Sequence, residues 1–380
     1  MIYLDNAATS FHKPKAVAEA VYQALQGMGN SGRGVYEASL EAGRVMLQTR
    51  IEIAQLFQVG DPSRVVFTSN ATESLNLAIR GLLQPGDHCI TTAMEHNSVL
   101  RPLYLMEGQG VELTILPLTK KGGIDVLRLE SAIQENTKAV VITHASNVTG
   151  NVNDIRSIGE LCDKHRLLFI LDASQSAGIL PIDMLKQRVS ALCCSGHKGL
   201  MGPQGIGILA LGEAVMPTAL KVGGTGVSSF SHGMPEGLPE ALEAGTQNIH
   251  GIAGLYAACR YIRDYGRENI YQKANSLAEL FYTEVRQIPG VKVYGDPEAG
   301  LRVPVIALNI SDISSGEVTD ELYQRFGIAT RSGAHCAPLL HEAFHTEEQG
   351  MVRFSFSHFN TEEEIRAAIA AITSLAEEYR

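Results

Sequence analysis

The sequence contains no tryptophan, and 12 tyrosines with 11 phenylalanines bring aromatics to only 6% of its 380 residues. Cysteine is sparse too. The six, Cys89, Cys162, Cys193, Cys194, Cys259 and Cys336, form no CxxC pair. That spacing excludes a disulfide scaffold, offers no cysteine pair to a metal, and points to reduced thiols in a reducing compartment. Positive charge is in deficit: 31 Lys plus Arg stand against 41 Asp plus Glu, a formal net charge of −10. A chain of that sign is a poor general partner for nucleic acid or an anionic membrane. Long apolar runs are missing as well. The stretch Leu167 to Leu171 is strand-sized, far from the ~20 residues of a membrane helix. At the start, MIYLDNAATS places an Asp and polar residues where a secretory signal needs an apolar run. The expectation is a soluble, cytoplasmic protein.

What is present is an ordinary globular composition, 45% hydrophobic and 19% charged, in a chain long enough for about two domains of ~100–200 residues. Short apolar runs alternate with amphipathic stretches. Strands are expected at 65–68, 89–92, 111–116, 139–144, 167–172, 191–194 and 206–211. Helices are expected at 73–83, 98–108, 126–135 and 155–165. The 167–172 strand is apolar on both faces, as a buried parallel strand is. Strands alternating with helices predict an α/β fold with a mostly parallel sheet covered on both faces. After Gly212 the pattern changes. Residues 222–240 are rich in Gly, Ser and Pro and read as a long irregular loop. A helix is expected over 251–265. The remainder reads as a smaller α+β unit, with strands at 303–310 and 352–356 and a helix at 317–326. Thr361 and Glu364 fit a capping box that opens the last helix.

Ligands of open parallel sheets bind beyond the carboxyl ends of the strands, so the residues after each strand are the candidates. Ala71 and Thr72 open a helix, where backbone N–H groups suit a phosphate; a plain N-cap at Thr72 fits equally. His96 suits stacking on a planar ligand or acid/base work, and also a turn and cap. Asn147 is either a donor to a ligand oxygen or a turn residue. Asp172 closes the all-apolar strand and needs a cationic partner, either an Arg or a protonated pyridine nitrogen. Lys198 lies inside the glycine-rich turn 195–205, and a desolvated lysine condenses readily with an aldehyde. A phosphate cradle, a stacking His, a buried Asp and such a Lys are together what pyridoxal 5'-phosphate requires.

On these motifs the chain resembles the class V branch of the fold-type I pyridoxal-phosphate enzymes, within it the cysteine desulfurases and selenocysteine lyases. The likeness runs through Tyr3 to Thr9, Asn70 to Asn76, Glu95 to Ser98, Asp172 to Gln175, Ser195 to Lys198, Glu243 to Asn248 and Arg331 to Ala337. Ala334 stands where related motifs often carry a second His, and 338–345 is particular to a less familiar subgroup. The resemblance implies a large cofactor-binding domain over 15–260, with 1–14 and 261–380 forming the small domain.

It also implies residue roles. Lys198 would hold the cofactor aldehyde, His96 would stack on the ring, Asp172 would pair with the pyridine nitrogen, and Gln175 would bond the ring hydroxyl. Thr72, the Ala71 backbone, Ser195 and His197 would hold the phosphate. Thr246 would reach the phosphate of a neighbouring subunit, which implies a homodimer. Arg353 would clamp the substrate carboxylate, with Asn6, Asn147 and Arg331 as further substrate contacts. No metal is implied. Cys336 would accept sulfur from L-cysteine as a persulfide, its thiolate favoured by Arg331 and His335, leaving L-alanine and passing sulfur to an acceptor protein. Selenocysteine would follow the same route. The competing readings are a selenocysteine lyase, another class V activity such as an aminotransferase or C–S lyase, and a non-catalytic scaffold.

Overall fold

The structure, a computed structural model, describes residues 1–32, 34–296 and 300–379. In chain order it begins with the short strand β1 (Ile2–Tyr3) and two long helices, α1 (Lys15–Gly27) and α2 (Glu37–Phe57). Alternation follows: β2 (Val65–Thr68), α3 (Ala71–Leu82), β3 (His88–Thr92), α4 (Asn97–Glu107), β4 (Glu112–Leu116), α5 (Val126–Ser131), β5 (Thr137–Thr143), α6 (Ile155–His165), β6 (Leu168–Asp172), β7 (Ala191–Ser195) and β8 (Gly207–Leu211). An irregular stretch leads to α7 (Ile249–Tyr265) and α8 (Arg267–Val285). The chain closes with β9 (Val291–Tyr294), β10 (Val305–Ile310), α9 (Ser315–Phe326), β11 (Ile328–Ala329), α10 (Pro338–Phe344), β12 (Val352–Ser355) and α11 (Glu362–Glu378).

Seven strands form the main sheet in the order β2-β8-β7-β6-β5-β3-β4. All its pairings are parallel except the two made by β8. Every residue of β3, β7 and β8 is buried; β7 and β8 are largely apolar on both faces, while the polar His88 and Thr91 of β3 are buried with hydrogen-bond partners. Two apolar cores cover the sheet, one built with α6 and α7 residues such as Ile158 and Ile252, the other with α3 and α4 residues such as Leu75 and Leu103. The turns obey local chemistry. Asp154 caps α6 by accepting from the N–H groups of Arg156 and Ser157, and the Thr361–Glu364 capping box opens α11.

A third core lies apart, under the antiparallel sheet β12-β10-β9, and gathers Phe281 from α8, Ile306, Phe354 and Ile372. Leu4 belongs to it, because β1 pairs in parallel with β11. The amino-terminal segment thus packs with the last third of the chain.

The strands and helices expected from sequence are present, with differences of length. The helix expected over 126–135 stops at Ser131, where the Thr137 hydroxyl takes the Gln134 N–H and turns the chain into β5. Helices α1, α2 and α8 occupy stretches where the sequence reading places no element. Among the described residues no helix is long and apolar enough to cross a membrane.

Candidate active site

The parallel strands β3, β5, β6 and β7 all end on one edge, next to the start of α3, and their continuations converge on a single cleft. Thr72, His96, Asp172, Ser195 and Lys198 line it, joined by Ala71, Asn147, Gln175 and His197. Residues from five separate stretches therefore meet where strand-end geometry places a ligand.

The approach of the turns is close. At Gly199 a Cβ would lie 2.5 Å from the Ala177 carbonyl oxygen, and at Gly178 (φ +79°) one would lie 2.5 Å from the Gly199 oxygen. Only glycines let the Lys198 turn rest on the Gln175–Gly178 turn. Burial lowers the Lys198 amine to about 8, opposed chiefly by the Asp172 carboxylate. Its Nζ has no hydrogen-bond or ion-pair partner among the described residues.

Asp172 is 3% exposed. One of its oxygens accepts the Ser174 N–H at 2.9 Å, and no Lys, Arg or His comes within ion-pair distance of it among the described residues. The Arg that the sequence left open as its partner is not there. A buried carboxylate without a cation is costly, so the position suits a cationic ligand atom. Ser195 supplies a second orphan, since its buried Oγ has no hydrogen-bond partner. Asn70 caps α3 by accepting the Glu73 N–H, which leaves the helix start at Ala71 and Thr72 lining the cleft. An unpartnered hydroxyl beside a helix N-terminus is a donor set for a phosphate.

His96 plays both parts considered from sequence. It caps α4 by accepting the Ser98 N–H at Nδ1 (3.0 Å), and its ring borders the cleft. That bond fixes the tautomer with the proton on Nε2. The Ser98 Oγ also joins Nδ1 (2.9 Å) to the Thr72 Oγ1 (2.9 Å). Burial, helped by Lys198, lowers His96 to about 4, so the ring is neutral. His197 is likewise lowered to about 4 by burial, and its Nδ1 meets the Thr9 hydroxyl at 3.0 Å. Gln175 donates to the Ala7 carbonyl at 3.1 Å.

Lys198 also borders a second pocket, lined by Asn6 and Ala7 from the first residues of the chain and by Ser355 of the small sheet, which makes that side the facing wall. Arg353 of β12 is 2% exposed. Its Nη2 meets Asp5 Oδ1 at 2.6 Å, its Nη1 donates to the Asn147 carbonyl at 3.0 Å, and its buried Nε is unpartnered. Arg331 is exposed, and its backbone pairs with that of Arg353. The Asn6 amide donates to the Ser355 carbonyl at 3.0 Å, and the Asn147 amide donates to the His335 carbonyl at 2.8 Å.

Cys336 is exposed, while the other five cysteines are buried. It follows β11 on a tight turn in which His335 and Cys336 both adopt left-handed backbone, φ +49° and +57°, a conformation uncommon outside glycine. The turn is pinned on both carbonyls. His335 O accepts from Asn147, and Cys336 O accepts the Asn97 N–H at 2.7 Å. The Cys336 sulfur is near enough that a negative charge on it would raise the Lys198 amine. One sequence expectation fails here. His335 is buried and donates from Nε2 to the Met351 carbonyl at 3.0 Å, and burial lowers it to about 3. It is neutral and gives Cys336 no positive charge.

Thr246 is exposed and lies in a separate groove lined by Arg50 and Gly224, away from the Lys198 cleft. Its segment is anchored by Glu243, which accepts from Arg50 at 2.7 Å and from the Phe67 N–H at 2.6 Å. The sequence reading passed over Asp5, Thr9, Asn97 and Ser98. The hydroxyl and amide beside His96 were a legible signal in Glu95-His96-Asn97-Ser98; the pairing of Asp5 with Arg353, 348 residues away, had none.

Comparison with known proteins gives a consistent picture. The family model for aminotransferase class-V matches residues 2–367. A probable cysteine desulfurase of Methanothermobacter thermautotrophicus is 32% identical over 96% of this chain and 92% of its own length. A probable cysteine desulfurase of Synechocystis sp. is 34% identical over 96% of this chain and 88% of its own. Among solved structures, the apo cysteine desulfurase from Thermococcus onnurineus NA1 superposes with a TM-score of 0.92 at 30% identity, covering 99% of this chain and 95% of that one.

Proposed function

The chain belongs to the aminotransferase class-V family, and from that premise we propose that it is a pyridoxal-phosphate-dependent cysteine desulfurase. The observation that carries the reading is the exposed Cys336 thiol on a turn held by Asn147, a residue of the Lys198 cleft, in a chain whose other five thiols are buried. The residues fit the cofactor. Ser195 Oγ and the Ala71–Thr72 helix start would take its phosphate, Asp172 its ring nitrogen, Gln175 its ring hydroxyl, His96 its face and Lys198 its aldehyde. His197 would complete the phosphate site through Nε2. Bound there, the cofactor supplies a carbonyl for amine exchange and a ring that withdraws electrons from the substrate Cα.

The chain's own groups do the rest. Arg353 holds the L-cysteine carboxylate through its unpartnered Nε edge, with Arg331 adding charge. The Asn147 and Asn6 amides are committed to carbonyls, so their substrate contacts need those bonds shared. The Lys198 amine, lowered to about 8, is in part unprotonated near neutrality and takes the Cα proton. The neutral His96 holds a proton on Nε2 for transfer over the ring face. Cys336 Sγ attacks the substrate sulfur: the Cβ–S bond breaks, an S–S bond forms, and protons complete the methyl group. The balance is L-cysteine plus the Cys336 thiol giving L-alanine plus the Cys336 persulfide.

Two further parts belong to this reading. Thr246, exposed on its own groove, serves a second copy's phosphate, which makes the enzyme a homodimer. The chain divides into a cofactor unit over 15–260 and a smaller unit of 1–14 with 261–380, the persulfide being passed to an acceptor protein in the cytoplasm.

The test is product analysis. Wild-type protein incubated with L-cysteine should give alanine and a Cys336 persulfide detectable by mass spectrometry. Cys336→Ala should keep the cofactor's visible absorbance and lose alanine formation. Pyruvate with ammonia in place of alanine, or undiminished alanine from Cys336→Ala, would overturn the assignment. The rate ratio between L-cysteine and L-selenocysteine separates a desulfurase from a lyase specific for selenium.

A further inference from the structure

The buried guanidinium of Arg353 is held in an unusual way. Both Nη atoms are engaged, one by the Asp5 carboxylate at 2.6 Å and one by the Asn147 carbonyl at 3.0 Å, while the buried Nε has no partner. A guanidinium carries five donors in a rigid fork, so fixing the two far nitrogens fixes the direction of the remaining edge.

Asp5 is itself held by backbone. It bridges to Ser355, two residues along the strand that carries Arg353. Its carbonyl accepts from the Tyr3 hydroxyl and the Ala8 N–H, each at 3.1 Å. The same segment runs on to the cofactor side. Ala7 N–H donates to Ser355 Oγ, Gln175 donates to Ala7 O, and Ser10 N–H donates to His197 O. The carboxylate is therefore placed by a strand stitched to both walls of the cleft.

One guanidinium nearby has no partner. Arg353 and Arg331 both act on Lys198 and His96 through space, and so does the Asp172 carboxylate. Asp5 is paired with Arg353, while Arg331 has no ion pair among the described residues, so its charge is available to an amino-acid carboxylate.

We propose that Asp5 is a positioning residue for substrate binding: it clamps Arg353 by Nη2 so that the unpartnered Nε edge is directed to the α-carboxylate of the amino-acid substrate. The inference rests on the reading of Arg353 as the carboxylate clamp and adds to it a residue from the far end of the chain. Asp5 does not touch substrate and is not its competitor; the pair persists when substrate is bound.

Three measurements on the holoenzyme test this. Asp5→Asn keeps the shape and removes the charge. It should raise KM for L-cysteine by about tenfold, the scale of a charge-assisted hydrogen bond, with kcat within about twofold and the cofactor absorbance unchanged. Calorimetric affinity for L-alanine should fall by a similar factor, and Asp5→Glu should recover part of both. Unchanged or improved KM and L-alanine affinity in Asp5→Asn would overturn the proposal. A crystal structure of the wild-type holoenzyme soaked with L-alanine needs no variant: it should show the carboxylate on Arg353 with the Asp5 pair intact, and displacement of Asp5 by the ligand would overturn it. Failure of the desulfurase reading shows separately, as wild-type protein that makes no alanine from L-cysteine, and the L-alanine binding comparison still judges Asp5.

Discussion

The two walls of the cleft are built on opposite plans. The cofactor wall, from Ala71 to Lys198, hangs from strand ends of one sheet. Its groups are neutral or unpartnered: His96 and His197 are held uncharged, Ser195 Oγ is an orphan, and Asp172 lacks a cation. The substrate wall gathers Asp5, Arg331, Cys336 and Arg353 from the two ends of the chain, and its central charges are already paired or its carbonyls already bonded. The first wall presents unpartnered groups that fit a resident cofactor. The second is a braced frame with one unpartnered donor, Arg353 Nε, and one exposed thiol, Cys336.

The largest test of this contrast is Lys198→Ala. Losing the base should cost at least ~10³-fold in alanine formation, within the range for a positioned acid/base group, and should remove the cofactor's visible absorbance while Tm stays near that of wild type. A fully active, coloured variant would break the distinction, because the cofactor wall would then be dispensable.

Next in size is Ser195→Ala. If the unpartnered Ser195 Oγ donates to a phosphate, its removal should weaken cofactor affinity by about tenfold, the scale of one hydrogen bond to a charged group. KM for L-cysteine should not move, since no group of the substrate wall touches Ser195. Titration of stripped protein with pyridoxal 5'-phosphate measures the first quantity and steady-state kinetics the second. A shift in KM alone would show that the two walls are not separable.

How far each wall could be read from sequence follows from the same plans. The cofactor wall was legible because each strand delivers its residue locally: apolar 167–171 announces a buried strand, and Asp172 at its end announces a buried charge. Position along the chain and position in space coincide there. The substrate wall needed resemblance, since nothing in the pattern around residue 5 or residue 353 says that they meet. The His335 misreading has the same origin. A histidine next to Cys336 in sequence looks like a cation beside a thiol, but the left-handed turn sends its ring inward to Met351 O, where burial neutralises it. Helices α1 and α2 did carry a signal: in α2 the buried Ala42, Val45, Thr49, Ile53 and Phe57 recur at helical spacing.

The histidines offer a direct check of neutrality. His96 and His197 are lowered to about 4 and His335 to about 3. A group whose pKa is depressed by burial takes its proton only below that value. Their ring proton resonances should therefore stay constant between pH 5 and 7.5, while an unperturbed imidazole titrates near ~6.5. A resonance of any of the three moving with a midpoint near 6.5 would place a charge where the structure excludes one, and for His335 it would restore the cation beside Cys336.

The smallest expected effect separates bracing from chemistry. Thr361 caps α11 outside the cleft, yet its capping-box partner Glu364 also accepts from Asn360, whose amide reaches the Tyr3 carbonyl at 3.1 Å. Thr361→Ala should cost about 1 kcal/mol, the usual loss for an N-cap, visible as a drop of about one degree in Tm for a chain of this length. Because Glu364 keeps its bond to Asn360, the strand carrying Asp5 stays in place and KM for L-cysteine should be unchanged. If KM rises with the loss of so remote a hydroxyl, then the frame around Arg353 is set by the last helix as much as by Asp5, and the substrate wall extends through β1 to the end of the chain.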